Sequence, residues 1–161
     1  RAMRTADRIC RAVLVDSRVV GWIGGLSQYE GNVWELHPLA VHPDLHGRGI
    51  GRRLVEDFER EVAERGGLTI MIGTDDEAGM TSLSGVDLYQ NLTGKLSGIQ
   101  NLRRHPYEFY ERLGYTIVGV MPDANGIGKP DIYMAKAVRR IGSATNLAPT
   151  TNRDDTGESS R

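Results

Sequence analysis

The run His46-Gly47-Arg48-Gly49-Ile50-Gly51 lies between an apolar strand and an amphipathic helix, and it constrains the fold more than any other stretch of the chain. Val33 to Val41 upstream reads as the strand. Downstream, Ile50, Leu54, Val55, Phe58 and Val62 fall on one helical face, and Gly66-Gly67 stops a helix running from about Gly49 to Arg65. A strand, a glycine-rich turn and a helix N-terminus together make an anion site. Glycines let the backbone come close, and the amides of the first helical turn have no partner inside the helix. A pyrophosphate is the natural guest, and the spacing narrows which one. A dinucleotide fold requires Gly-x-Gly-x-x-Gly with an acidic residue about 20 residues on. Gly47-x-Gly49-x-Gly51 does not keep that spacing. A nucleoside triphosphate loop requires Gly-Lys-Ser or Gly-Lys-Thr, and neither is present.

The remaining sequence places this unit in one mixed α/β domain. At 161 residues the chain can bury a real core. Its net charge of −1 gives no electrostatic case for nucleic acid or an anionic membrane. No apolar run approaches the roughly 20 residues of a membrane span, and a cytoplasmic protein is expected. The single cysteine, Cys10, excludes an internal disulfide framework and a cysteine-based zinc cluster, and no metal is expected. Beside Ile9 and Val13, Cys10 is expected to pack as a small hydrophobe.

Ala12 to Val15 and Val19 to Leu26 read as a hairpin turning at Asp16-Ser17-Arg18, with a bulge marked by Gly24-Gly25. Pro38 cannot donate to a ladder, so the third strand is expected to bulge at His37-Pro38. Leu68 to Ile72 reads as a buried strand ended by the acidic run Asp75-Asp76-Glu77. Thr81 to Leu102 is ambiguous. Pro106 starts a helix that continues through Leu113, Tyr115 to Val120 is a strand, and Asp131 to Val138 is the last. The order is β-β-β-α-β-α-β-β. Residues 1–140 are expected to form the domain, short of N-terminal elements. Residues 141–161 are polar and expected to be a disordered tail.

Val41-x-x-x-x-His46-x-x-Gly49-x-Gly51 after a strand resembles the pyrophosphate loop of the GNAT N-acetyltransferases, in which the His46 position is usually Gln or Arg. Phe109-Tyr110-Glu111-Arg112-Leu113-Gly114-Tyr115 resembles that superfamily's other recurrent signature. The resemblance implies the GNAT fold, an α/β (α+β) architecture with a mixed, mostly antiparallel central sheet flanked by helices, and acetyl-CoA as cosubstrate. It assigns the cofactor to Leu39, Ala40, Val41, His46, Gly47, Arg48, Gly49, Ile50, Gly51, Arg52 and Tyr110. It puts the Tyr110 phenol near the cofactor sulfur, where it can protonate a departing thiolate.

An acetyltransferase must also hold an acceptor amine, take its proton and polarise the thioester carbonyl. Glu35, on the strand beside the pantetheine arm, can take the proton or attract a cationic substrate. His37 shares its face if the strand is regular. A bulge at Pro38 frees backbone groups near Leu39 and Val41 for the thioester oxygen. Asp75, Asp76 and Glu77 either line a polycation site or cap a helix. Asp87 and Glu108 are further acids that could add to the attraction.

Trp34-Glu35-Leu36-His37-Pro38-Leu39, Gly73-Thr74-Asp75-Asp76 and His105-Pro106-Tyr107-Glu108-Phe109-Tyr110-Glu111 resemble the aminoglycoside 6′-N-acetyltransferases of the chromosomal enterococcal type. So do Pro122-Asp123-Ala124-Asn125-Gly126 and the run Lys129 to Lys136. That closer resemblance covers about Arg8 to Val138. It implies direct transfer to an aminoglycoside 6′-amine in a ternary complex, with Glu35, His37, the Leu39 backbone and Tyr110 in the catalytic site. It also implies a substrate side of Trp34, Glu35, Asp75 and Asp76, and a homodimer. The alternatives are a GNAT enzyme for a polyamine or protein amine, and an acetyl-CoA-binding protein without catalysis.

Overall fold

The computed structural model describes residues 7–138, so the expected tail lies outside the described residues. Alternation builds the sheet. In β3 (Val33–Val41), Trp34 and Leu36 are buried, whereas Val33 and Glu35 are only partly covered, the period of a strand with one face on a core. β1 (Arg8–Val15) and β2 (Arg18–Gln28) form the expected hairpin. Its two turn residues, Asp16 and Ser17, both have positive φ, the conformation whose twist matches the paired strands. β4 spans Thr69–Asp75, so Gly73, Thr74 and Asp75 belong to the strand rather than to the turn after it, and the strand ends between two adjacent acids, Asp75 and Asp76. β5 (Thr116–Met121) and β6 (Asp131–Ala137) complete a sheet of order β1-β2-β3-β4-β6-β5. Among the described strands, only β3 and β4 run parallel; every other pair is antiparallel.

Helix α1 (Ile50–Glu64) buries Leu54, Val55, Phe58 and Val62 against one face of this sheet. Ile9, Ile23, Trp34, Leu36, Ile70, Ile72, Ile132 and Met134 supply the facing side chains. The Arg11 guanidinium bonds Asp57 at 2.6 Å and ties β1 to the helix. The expected Glu61–Arg65 pair forms at 2.8 Å near the helix end. Helix α2 (Leu92–Ser97) lies in the stretch whose signals conflict in sequence, and α3 (Tyr107–Glu111) follows Pro106. Phe109 lies 3.5 Å from where a side chain on Gly51 would begin, so α3 packs beside the start of α1. Lys136, which alternates with Met134 on the helix-bearing face, bonds Glu59 of α1 and the Leu113 carbonyl after α3, both at 2.7 Å. Among the described residues, no helix is long and apolar enough to cross a membrane.

Cys10 does not pack inside. It is exposed, because β1 is an edge strand and alternation turns Ile9 to the core and Cys10 away from it. Gly25 is fixed by sterics: a Cβ there would stand 2.3 Å from the Phe58 ring. Gly25→Ala is therefore expected to lower stability by about 1–3 kcal/mol, the usual cost of overpacking a core. Urea unfolding checks this, and a parent-like midpoint would contradict the packing described.

Candidate acetyl-transfer site

The site begins where the sheet comes apart. β3 and β4 are paired only at Val33–Thr69, Trp34–Ile70 and Glu35–Met71. Beyond Glu35, β3 continues to Val41 and β4 to Asp75 without pairing to each other. Backbone groups of Leu36 to Ala40 that point toward β4 are thus left without a partner on that strand, and a wedge opens between β3 and β4. The expected bulge lies in this segment. On β2 the register advances two residues, Gly25 to Ile23, while β3 advances three, Leu36 to Leu39. One extra residue therefore enters β3 around His37-Pro38. The strand is not regular there, so the alternation that would put His37 on the face of Glu35 does not reach it. His37 is exposed and lies on the bulge itself.

On the helix-bearing face, the wedge meets the glycine loop. Gly47 and Gly49 have φ of 75° and 78°, left-handed values that favour glycine, and no atom beyond their chain neighbours lies within 4 Å of where their side chains would begin. The first bond of the α1 ladder runs from the Arg53 amide to the Gly49 carbonyl at 3.1 Å. The amides of Ile50, Gly51 and Arg52 precede it and have no helical acceptor. This cradle of amides and bare backbone fits a pyrophosphate. The His46 side chain lies in the same loop, with its Nε2 2.9 Å from the Val41 carbonyl, and ties the loop to the end of β3. Arg48 and Arg52 are exposed at the rim, and Arg52 sits 3.7 Å from Glu56. Leu39, Val41 and Ile50 are partly buried against the core, while Ala40 is exposed.

Tyr110 borders the same face. It is buried, and its ring stacks edge-on with Phe109 and Tyr115 at centroid distances of 5.0 and 5.7 Å. Burial raises its pKa above the ordinary phenol value, so the hydroxyl stays protonated. An ordinary thiol has a pKa near 8.5. A phenol raised above its usual range is suited to donate a hydrogen bond to a developing thiolate more than to surrender its proton outright, which narrows the role expected from sequence.

The opposite face carries acid. Residues paired across a ladder share a face, and the register couples Glu35 with Met71, Gly73 with Tyr133, and Asp75 with Asp131. Glu35, Asp75 and Asp131 therefore project from one side of the sheet. The Asp131 carboxylate lies over Gly73, whose missing Cβ would stand 2.5 Å from Oδ2. Its Oδ1 is buried with no hydrogen-bond partner. Burial first, then Asp75 and Glu35, push its pKa up to about 6, partly offset by the Thr74 amide. Glu35 accepts from Gln28 Nε2 at 3.2 Å, and Asp75 accepts from Asn125 Nδ2 at 2.6 Å. Asp131 is the acid that sequence reasoning missed. Its one signal is its place as first residue of a strand after Pro130, and only the β4–β6 register turns that into proximity to Asp75.

Two residues expected on the substrate side are withdrawn from it. Trp34 is 2% exposed on the core face, opposite Glu35, with Arg65 stacked 5.4 Å from its ring. Asp76 is fully buried, and its oxygens accept from the amides of Met80 and Thr81 and from the Thr81 hydroxyl at 2.6, 2.8 and 2.7 Å. It caps a loop, and no helix follows directly. Asp87 accepts from the Tyr89 amide at 2.9 Å, and Glu108 lies 3.9 Å from Arg112.

Comparison with known proteins agrees with this geometry. Residues 2–92, more than half of the chain, match the Acetyltransferase (GNAT) family. A crystal structure of an aminoglycoside 6′-N-acetyltransferase complexed with coenzyme A is 51% identical, with a TM-score of 0.82 over 86% of this chain and 77% of that one. The aminoglycoside 6′-N-acetyltransferase from Enterococcus faecium is likewise 51% identical, with a TM-score of 0.81 over 88% and 78%. An acetyltransferase of Pectobacterium atrosepticum is 33% identical over 66 residues, 40% of this chain and less than half (45%) of that relative. The splayed parallel pair, the amide cradle at the start of α1 and these matches lead to one assignment: the chain belongs to the GNAT acetyltransferase family.

Proposed function

We propose that this protein is an aminoglycoside 6′-N-acetyltransferase that works by direct transfer from acetyl-CoA. The observation that carries the reading is the wedge between β3 and β4, with an amide cradle on one face and three carboxylates on the other. The 51% identity to enzymes named for this activity supports it. Acetyl-CoA supplies a thioester, an acyl group already activated toward an amine. The loop amides from Gly47 to Arg52 hold its pyrophosphate, and the backbone of Leu39 to Val41 aligns its arm. The acceptor approaches from the acidic face, where Glu35, Asp75 and Asp131 attract its ammonium groups.

Glu35 takes the proton that the 6′-nitrogen loses as the new C–N bond forms. The Leu39 amide bonds the thioester oxygen as it gains charge. Tyr110 donates a hydrogen bond to the sulfur as the C–S bond breaks, and the proton the thiolate needs arrives from solvent. His37, on the bulge, sits at the mouth of the wedge beside the acceptor. Acetylation replaces a cationic amine with a neutral amide, which removes one charge that an aminoglycoside uses to bind nucleic acid, and so confers resistance. The reaction draws on acetyl-CoA and belongs in the cytoplasm, with residues 1–140 forming the acetyltransferase domain. The assembly is a homodimer, as the resemblance implies; light scattering at working concentrations tests that.

Asp131 gives this reading a separable prediction. Its raised pKa means that the fold disfavours the ionised form, so stability falls as pH rises from the ordinary carboxylate value toward about 6. Asp131→Asn removes that cost and is expected to raise Tm at pH 7. The same change deletes a charged partner for an acceptor ammonium and should raise the acceptor KM about tenfold. A lower Tm with unchanged KM would contradict both parts.

The function itself is tested by release of CoA thiol with 6′-amino aminoglycosides, spermidine-like polyamines and a basic peptide side by side. The expected result is turnover of the 6′-amino compounds, with none for congeners carrying a 6′-hydroxyl. Better turnover of the polyamine or the peptide would move the acceptor class. Tight CoA binding with no turnover of any acceptor would overturn the enzyme reading.

A further inference from the structure

His105 lies between the two halves of this site and is used by neither. It is 2% exposed, in the segment that leads into α3. Both ring nitrogens are engaged. Nδ1 lies 3.2 Å from the Tyr107 amide, and an amide N–H can only donate, so Nδ1 is the acceptor. The ring proton therefore sits on Nε2, which donates to the Asp75 carbonyl at 3.1 Å. One bond reaches the first turn of α3, three residues before Tyr110. The other reaches the last residue of β4, whose carboxylate belongs to the acidic face. The backbone of His105 is itself held, since Asn101 accepts from its amide at 2.7 Å and donates to its carbonyl at 3.0 Å. The chain between Asp75 and His105 is long and mostly irregular, so the covalent path between β4 and α3 cannot hold one against the other. The imidazole does so directly.

We propose that His105 is a positioning residue that sets the Tyr110 helix and the Asp75 end of β4 at a fixed separation, so that donor sulfur and acceptor amine meet at the wedge. The proposal rests on the functional reading above. A neutral imidazole suits this role, because it offers an acceptor and a donor on opposite sides of one rigid ring. Small misplacements of reacting groups carry large rate penalties, so a bond to each wall has catalytic weight without touching substrate.

Two substitutions separate the two bonds. Asparagine places its amide oxygen near the position of Nδ1 but does not reach Asp75. Glutamine extends its amide nitrogen to the position of Nε2 but leaves the Tyr107 amide without an acceptor. His105→Asn is expected to raise the acceptor KM about three- to tenfold, the size of one neutral hydrogen bond. Its acetyl-CoA KM should stay near the parent value. His105→Gln is expected to do the reverse: kcat falls and the acetyl-CoA KM rises by a similar factor, with the acceptor KM nearly unchanged. Amide hydrogen exchange supplies a readout that needs no substrate. Exchange at Tyr107 should quicken in His105→Gln only, and exchange along 74–76 in His105→Asn only. That opposed pattern supports the proposal. Parallel changes in both variants, no change in either, or loss of the fold in both would overturn it. If the parent turns over no aminoglycoside while the exchange pattern still splits, the functional reading fails and the positioning role stands.

Discussion

Gly49→Val is expected to weaken acetyl-CoA binding by about 10²–10³-fold and to leave the fold intact. Two effects combine. Gly49 stands at the N-cap of α1 with φ of 78°, and a β-branched residue forced into the left-handed region costs about 1–2 kcal/mol. Part of that strain is relieved if the loop re-forms with a different path, but the re-formed loop no longer presents the same amides. The new side chain would also project into space where no atom beyond the neighbouring residues lies within 4 Å, the side from which a pyrophosphate would approach. Each charge-assisted bond lost there is worth about 1.5–3 kcal/mol. Calorimetric titration with CoA checks the affinity, and a thermal melt checks the fold. Because the loop is exposed, Tm should fall by only a few degrees. Parent-like CoA affinity would show that the loop is only a turn before a helix.

Glu35→Gln should lower kcat/KM for the acceptor by about 10²–10³-fold, within the range that a positioned general base contributes. CoA affinity should not change, since the Glu35 side chain projects from the face opposite the amide cradle. The shape of the loss matters as much as its size. Removing a base lowers kcat and flattens the acidic limb of the pH–rate profile. Removing an anchor raises KM and leaves kcat in place. Glu35 is expected to show the first pattern and Asp131 the second, although both carboxylates lie on one face. Glutamine keeps the shape and the bond from Gln28, so a folding defect is not a confounding result. The opposite assignment, with a KM effect at Glu35 and a kcat effect at Asp131, would exchange their roles.

Much of this site is legible in the sequence alone. The third strand, Val33 to Val41, is readable end to end because Trp34 and Leu36 alternate with Val33 and Glu35 between clear turn signals. Helix α1 is readable to within a residue or two because its apolar positions repeat at helical spacing and glycines bound both ends. Pro38 announces the bulge, because a residue without an N–H interrupts any ladder. What is not legible depends on which face a residue takes and on pairing between distant strands. Trp34 is next to Glu35 in sequence, yet a strand sends neighbours to opposite faces, so a motif containing both is half core and half site. Cys10 reads as a core residue until β1 is seen to be an edge strand. Asp76 and Asp75 are adjacent acids, but the chain leaves the strand between them, and Asp76 turns inward to cap the loop. Asp131 joins the site only through the antiparallel register of β6 on β4. His46 keeps the position of a phosphate-loop residue, and its tie to the Val41 carbonyl is visible only in the folded chain.

In the proposed reaction a single wedge brings a thioester from one face of the sheet to a cationic amine on the other, with no covalent intermediate. The most direct measurement is to incubate the protein with isotopically labelled acetyl-CoA and a kanamycin-type aminoglycoside, then locate the label by NMR in the product and by mass spectrometry in the protein. One acetyl group is expected on the 6′-nitrogen and none on the protein, with or without acceptor present. Label on a different nitrogen, or on a side chain of the protein before acceptor is added, would contradict it.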